Sequence, residues 1–484
     1  MIRFTLIAAL FTIVIFQITG EKLPVNEGAM GDGLFFRDVA GNFLEDIEDG
    51  GYNLFQMQRL MPFAFVNVIF GALHILKSYD NLMRGMLILH FLFLGLGVYW
   101  YFSLATKLRL GDNLTVLGFV LIFANFAVLK DPWFNPFSTD LPTLMLAIGQ
   151  ANYFIKVNRQ KLFLVSIIAG FVWPTMMLTG LLLIFLPSEP LVVYPKEGPK
   201  SFFPVLASLL ILGIVLAVSI LTGRFSGQDF WTTVLHIASV IILVLFVFAV
   251  MVRNQVDWPQ SFELLKKKAK QQKIGRLVGV LFVYFIVIFL LSGSNINLDF
   301  GAIFMSLLQD TLRYPGDFLV GHMLFFGFLI PLTLAFFPRI IREAAKLGMG
   351  MMAVSLLMFV FVLHPESRLL LAFLPFIVVL LLKSARKYRI VNKDVIVISV
   401  LNVLLSAFWL PLNVVGMEDA LGNKEFWSSF PAQRYLMHFG NMFSFEVYAV
   451  AAVVFIGLLV LAYRGKVRYK REEYVRGRSV AAKI

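Results

Sequence analysis

The sequence predicts an all-α fold: a polytopic membrane protein with about 13 transmembrane helices and interfacial helices in the first outer loop. Three observations predict it. Of 484 residues, 59% are hydrophobic and only 15% are charged, more apolar surface than a soluble domain of this length needs. Uncharged apolar runs recur along the whole chain. The net charge of +13 sits in short loops between those runs, which is the positive-inside pattern and excludes a nucleic-acid surface. Cysteine is absent, which excludes disulfides, thiolate metal sites and a cysteine nucleophile. The six histidines form no close pair with metal-ligand spacing, so no metal or cofactor is assigned. No soluble domain, long-period repeat or low-complexity linker interrupts residues 1–484. They read as one integral-membrane domain with a front half, 1–200, and a helical back half, 201–484.

The first run, 4–19, follows Arg3. No small-x-small cleavage site precedes Glu21, so an uncleaved first helix with a cytoplasmic N-terminus is expected. Residues 20–59 hold eight acids against Lys22, Arg37 and Arg59, which suits the outer face. The run 60–76 has two readings. If it crosses, Lys156, Arg159 and Lys161 fall outside. If it lies in the outer interface, Lys107, Arg109, Lys156, Arg159 and Lys161 all fall inside, which Lys/Arg bias favours. The second reading needs one further crossing. Trp173-Pro174 offers it, because proline breaks a helix and splits 162–187 into two half-helices.

Further runs are expected at 85–106, 114–129, 141–155, 201–223, 230–252, 277–298, 318–338, 347–363, 369–382, 395–417 and 447–463. Basic clusters at 253–276, 339–346, 383–393 and after 463 alternate with Lys/Arg-poor loops at 299–317, 364–368 and 418–445. The clusters, and with them the C-terminus, are therefore expected in the cytoplasm of a multi-pass protein of the cytoplasmic membrane.

Three loop motifs carry chemistry. Asp32 stands between Gly31 and Gly33, ahead of a short amphipathic helix with Phe36, Val39, Ala40 and Phe43 on one face. A carboxylate beside an apolar wall is suited to accept a proton from an attacking hydroxyl. Asp38 is the competing acid, on the wetter side. Asp131-Pro-Trp-Phe-Asn-Pro-Phe-Ser-Thr-Asp140 joins two apolar runs. Asp140 there is a binding group or an N-cap. His364-Pro-Glu366-Ser-Arg368 precedes Pro375, and an arginine at a membrane surface suits bidentate capture of phosphate or simple interfacial anchoring.

In this order the three motifs resemble those of the GT-C-fold glycosyltransferases that use polyprenyl-phosphate sugars, in particular the mannosyltransferase branch. The resemblance implies an envelope glycosyltransferase, moving a hexosyl or pentosyl group from a lipid-phosphate donor in the bilayer to a glycan, lipid or protein acceptor. It implies Asp32 as catalytic base and Asp140 as the second acidic position. His364, Glu366 and Arg368 would bind substrate in the loop near 364–375, with Arg368 on the donor phosphate. Asp38 and Asp131 are added as substrate-binding candidates. The chain departs from the pattern at Gly33, where many members carry a second acid, and at Pro365, usually lysine. It departs again at Trp173-Pro174, where a lysine is common. The competing reading is a transporter or flippase for a lipid-linked or anionic solute, whose sites also use broken helices. A polymerase or ligase of the O-antigen type would carry a large arginine-rich outer loop, which is absent.

Overall fold

The structure is a computed structural model. It describes residues 2–48, 51–191, 203–221, 223, 229–252, 256, 263–292, 310–422 and 435–481. Asp49, Arg253, Lys483, residues 299–309 and 423–434, and the ends of the runs 201–223 and 277–298 lie outside the described residues. Among those described, the regular structure is helical.

The front half contains α1 (Ile2–Ile18), α2 (Gly33–Glu48), α3 (Leu54–Met57), α4 (Met61–Ala72), α5 (Tyr79–Lys107) and α6 (Asp112–Phe123). It continues with α7 (Phe126–Leu129), α8 (Asp131–Phe134), α9 (Asp140–Ile155), α10 (Arg159–Gly170) and α11 (Pro174–Phe185). The back half contains α12 (Phe203–Leu221), α13 (Phe230–Val252), α14 (Lys268–Leu291), α15 (Asp317–Phe326) and α16 (Leu329–Lys346). It ends with α17 (Met349–Val362), α18 (Leu374–Ala385), α19 (Asn392–Leu405), α20 (Val414–Gly422) and α21 (Phe445–Ala481).

Polar contacts between turns sort the molecule into two ends. At one end Arg3 donates to Thr106 at 3.2 Å, Lys156 meets Ser103, and Asn113 donates to the Ile390 carbonyl at 3.0 Å. Arg339 bonds Tyr388 at 3.1 Å, Lys387 pairs with Glu343 at 3.6 Å, and Lys466 bonds the Ala335 carbonyl at 2.6 Å. Leu191 N–H reaches Ala345 O at 2.9 Å, and Lys270 pairs with Glu189. This end gathers Lys107, Arg109, Lys156 and the basic clusters of the back half. At the other end Leu23 N–H bonds Phe134 O at 3.0 Å, Leu412 N–H bonds Glu21 at 2.8 Å, and Tyr435 bonds Asp131 at 2.5 Å. Arg313 donates to Asn441 O at 2.9 Å, and Tyr52 bridges to Ser292. That end gathers the acidic loop and all three motifs. Helix α14 joins the two, from Lys270 beside Glu189 to Ser292 beside Tyr52.

Helix α4 both begins and returns at the acidic end. Met61 N–H bonds the Phe171 carbonyl at 3.1 Å, Asn67 bonds the carbonyls of Ala40 and Gly41 at 3.0 and 2.6 Å, and Arg37 lies 4.2 Å over the Tyr79 ring at the start of α5. Its 12 residues span roughly 18 Å, short of a hydrocarbon core of about 30 Å. Within the run 60–76, α4 packs on α2. The break at Trp173-Pro174 is present: α10 and α11 have 12 residues each and pack against one another.

Four described helices are long and apolar enough to cross a membrane: Tyr79–Lys107, Phe230–Val252, Lys270–Leu291 and Phe445–Lys466. Two bent pairs raise this to six: α6 with the helical stretch 126–134, at 67°, and α15 with α16, at 114°. Helix length and composition thus support four to six spans among the described residues, with six shorter apolar helices below the length of a span. The reason is local: apolar runs are cut by turns. Asn402 stabilises two of the cuts at once. It accepts the Phe328 N–H at 2.7 Å and donates to Val120 O and Ala124 O at 3.1 and 2.6 Å. Gly327 makes this possible: its φ is +70°, and a Cβ would meet Asn402 Oδ1 at 2.3 Å.

Candidate functional site

The loop after α1 turns sharply into α2. Gly31 adopts φ +54°, and the Asp32 carbonyl accepts the Phe36 N–H at 3.0 Å, starting the helix. The apolar face of α2 buries Phe36, Val39 and Ala40 against Phe63 of α4, with the Phe36 and Phe63 rings stacked at 4.4 Å. Gly33 presses on the second loop: a Cβ there would lie 3.1 Å from the Phe137 carbonyl. A side chain there would need the Phe137 carbonyl to give by a few tenths of an ångström.

Asp32 side chain is 58% exposed and accepts from Arg59 at 3.3 Å. Arg59 is held between aromatic faces, 4.0 Å from the Phe55 centroid and 4.5 Å from that of Trp173. Burial brings its pKa down to about 10, against the pull of Asp32. Trp173 sits in the turn between α10 and α11, where the resemblance implies a lysine. Arg59 brings a cation to that place from another part of the chain.

The second loop is wholly buried. Asp131 opens α8 and accepts the Tyr435 hydroxyl, while its other oxygen has no donor. Asp140 opens α9. The N-cap is Thr139, without a side-chain cap bond, and one Asp140 oxygen also has no donor. The capping role is therefore not made. Asp140 and Asp131 line the same cavity. Burial pushes the Asp140 carboxyl above its usual range, with Arg368 and Arg59 opposing and Glu366 adding to it.

The third loop is fixed from below. His364 Nε2 lies 3.3 Å from Asp310, and its Nδ1 accepts the Glu366 N–H at 3.1 Å. Ser367 bonds His322 at 3.0 Å. Pro365 is buried, with its carbonyl 2.6 Å from where a Gly440 Cβ would stand and 3.2 Å from that of Gly321. Side chains at positions 321 and 440 would therefore collide with this loop. Arg368 Nε and Nη2 both donate to Glu366 Oε1, at 3.1 and 2.6 Å. Burial works against the Arg368 charge, and Glu366, Asp140 and Asp131 outweigh it. Burial likewise works against ionised Glu366, but Arg368, His364 and Arg59 hold its carboxyl below the usual range.

The three loops converge. A cavity of about 150 Å³ is lined by Asp32, Asp131, Asn135, Asp140, Arg368 and Tyr435, among others. A smaller recess beside it adds Arg59, Thr139 and Trp173. Four carboxylates (Asp32, Asp131, Asp140, Glu366) and two guanidinium groups thus share one end of the molecule. His364 and Glu366 support Arg368 without lining the cavity. Asp38 is exposed on α2 and lines neither space. Arg59, Asn135 and Tyr435 were not singled out by the sequence. The one signal for Arg59 is a lone arginine interrupting an apolar neighbourhood; Tyr435 carries none. Among the described residues no group of three or more His, Asp or Glu side chains is placed to hold a metal ion. No family model matches the chain, and no curated protein or solved structure does either.

Proposed function

We propose that the protein is an integral-membrane glycosyltransferase of the GT-C type, transferring a sugar from a polyprenyl-phosphate donor to an acceptor on the outer face of the cytoplasmic membrane. The observation that carries this reading is the convergence of Asp32, Asp131, Asp140 and Arg368 on one small cavity, from loops separated by hundreds of residues. A site that pairs free carboxylate oxygens with a guanidinium suits a reaction needing a proton acceptor and a holder for a leaving phosphate.

In this reading the acidic end faces outward, and both termini lie in the cytoplasm. The short helices supply the remaining crossings, an even number in all, and α2 and α4 lie in the outer interface. Asp32, the exposed carboxylate, takes the proton of the acceptor hydroxyl as its oxygen attacks the anomeric carbon. The bond from that carbon to the phosphate oxygen breaks, and the phosphate leaves with the electron pair. Arg368 holds that phosphate, sharing its donors between it and Glu366. Arg59 keeps Asp32 at the rim. Asp140 and Asp131 receive sugar hydroxyls through their undonated oxygens. The test is transfer from radiolabelled polyprenyl-phosphate sugars in membranes containing or lacking the protein, read by thin-layer separation of the products. Movement of the donor across proteoliposomes without any new glycosidic product would instead favour a flippase.

A further inference from the structure

The basic end carries a groove that the chemistry above does not use. It has a volume of about 740 Å³ and lies between α1 and α5. Gly95, Val98, Phe102 and Thr106 line it as one stripe of α5, and Ile7 and Phe11 as one stripe of α1. The Phe11 and Phe91 rings meet edge to face at 4.9 Å toward its upper end, and Arg3 donates to Thr106 at 3.2 Å at its lower end. Gly95 leaves the upper part open, since a Cβ there would meet nothing within 4 Å. On α5 the lining runs from Gly95 to Lys107, a rise of roughly 18 Å. That is a little over half of a hydrocarbon core of about 30 Å. The lower end is cationic. Arg3, Lys107 in the last turn of α5 and Lys156 at the end of α9 all line it. Arg3 and Lys156 donate there to the neutral hydroxyls of Thr106 and Ser103, and none of the three cations has a carboxylate partner among the described residues. Thr106 gives its own proton to the Phe102 carbonyl at 2.9 Å, whereas that of Ser103 has no acceptor among the described residues.

We propose that this groove holds one anionic phospholipid of the leaflet at the basic end, with an acyl chain between α1 and α5 and its phosphate among Arg3, Lys107, Lys156 and the Ser103 hydroxyl. Depth and charge both favour this occupant. A neutral lipid would leave three cations beside hydrocarbon without an anion, and charge there is costly. A free anion would leave the apolar walls uncovered. The groove lies at the opposite end of the molecule from Asp32 and Arg368, so the site does not rest on the transfer reaction.

The test uses the full chain, purified in mild detergent and supplied with mixed phosphatidylglycerol and phosphatidylcholine, with retained lipid read by native mass spectrometry. One phosphatidylglycerol should be retained in preference to phosphatidylcholine. Three cations at head-group level give a preference on the order of a hundredfold. K107Q/K156Q leaves Arg3 to orient α1, and should reduce the preference to roughly fivefold. K107R/K156R should keep it. R389Q/K393Q removes the same charge from the same end but outside the groove, and should also keep it. Gly95→Trp fills the open upper part without a clash in the empty protein. It should unfold at the wild-type temperature or above and retain less of both lipids. Excess inorganic phosphate should leave the lipid in place. Equal retention of the two lipids by the wild type overturns the proposal. So does an unchanged preference in K107Q/K156Q, an equal loss in R389Q/K393Q, wild-type retention in Gly95→Trp, or displacement of the lipid by phosphate alone.

Discussion

Replacing Asp32 by asparagine separates a catalytic carboxylate from a structural one, because the two roles predict effects of different size. As a structural group Asp32 offers one ion pair, at 3.3 Å to Arg59, with the carboxylate 58% exposed. Such a pair contributes about 0–1 kcal/mol to stability. Arg59 keeps its place between Phe55 and Trp173 without it, so the fold should lose little. As a general base Asp32 is worth about 10²–10⁴ in rate, or about 2.7–5.5 kcal/mol of barrier. Asp32→Asn should therefore insert, unfold close to the wild-type temperature and bind donor, yet transfer sugar at least a hundredfold more slowly. Asp38→Asn, exposed on the same helix and outside the cavity, should transfer near the wild-type rate. The assay is single-turnover transfer in proteoliposomes, beside thermal unfolding of each variant. A wild-type rate for Asp32→Asn refutes the assignment. A dead Asp140→Asn beside an active Asp32→Asn would move the base to the buried carboxyl. A dead Asp38→Asn would mean that the right loop carries the wrong acid.

Three further outcomes are expected. Arg368→Lys keeps the charge but not the fork, and loses one charge-assisted hydrogen bond of about 1.5–3 kcal/mol. Apparent donor KM should rise about 10- to 150-fold with little change in unfolding, and an unchanged KM would leave Arg368 as an anchor. Glu366, held below its usual pKa of 4.5, stabilises the fold above that value and loses the contribution as pH falls through its lower folded-state value. Glu366→Gln should lower the unfolding temperature near neutral pH and flatten the acid-side decline, so a parallel pH profile would contradict the pairing. Cysteines at Glu45 and Lys267, in a chain that has none of its own, should react from opposite sides with an impermeant thiol reagent. Labelling of both from one side would refute the two-ended arrangement.

Much of this layout was legible because charge near a membrane is costly and so marks position. The basic loops collect at one end as Lys/Arg bias predicts. The break at Trp173-Pro174 follows from proline, and α4 packs on α2 where the sequence placed a helix of the acidic loop. Where the other apolar runs break was not legible. Hydropathy registers how apolar a run is, not whether it stays helical, and it misses turns such as Ala124-Asn125 and Gly327-Phe328, which a distant Asn402 helps to satisfy. Arg59 was hidden for a related reason. In sequence it is a flanking charge before an apolar run, and its burial depends on Trp173, more than a hundred residues away.

The three positions that depart from the motif pattern each make a close contact at the acidic end. Gly33 lets the first loop touch the second, Pro365 packs between Gly321 and Gly440, and Trp173 seats Arg59. The first two substitutions draw the loops of the acidic end closer together, and the third accompanies a cation supplied from a different position. A cavity of about 150 Å³ is small against the roughly 300–1,000 Å³ usual for ligand sites. A lipid-linked sugar therefore requires the rim to open, and the rim is where the contacts are weakest. Asp32 and Arg59 meet there through one partly exposed ion pair, whereas Asp131 accepts from the buried Tyr435 and Arg368 donates twice to Glu366. Opening by loss of the Asp32–Arg59 contact would free the carboxylate for the acceptor proton in the same movement that admits the donor.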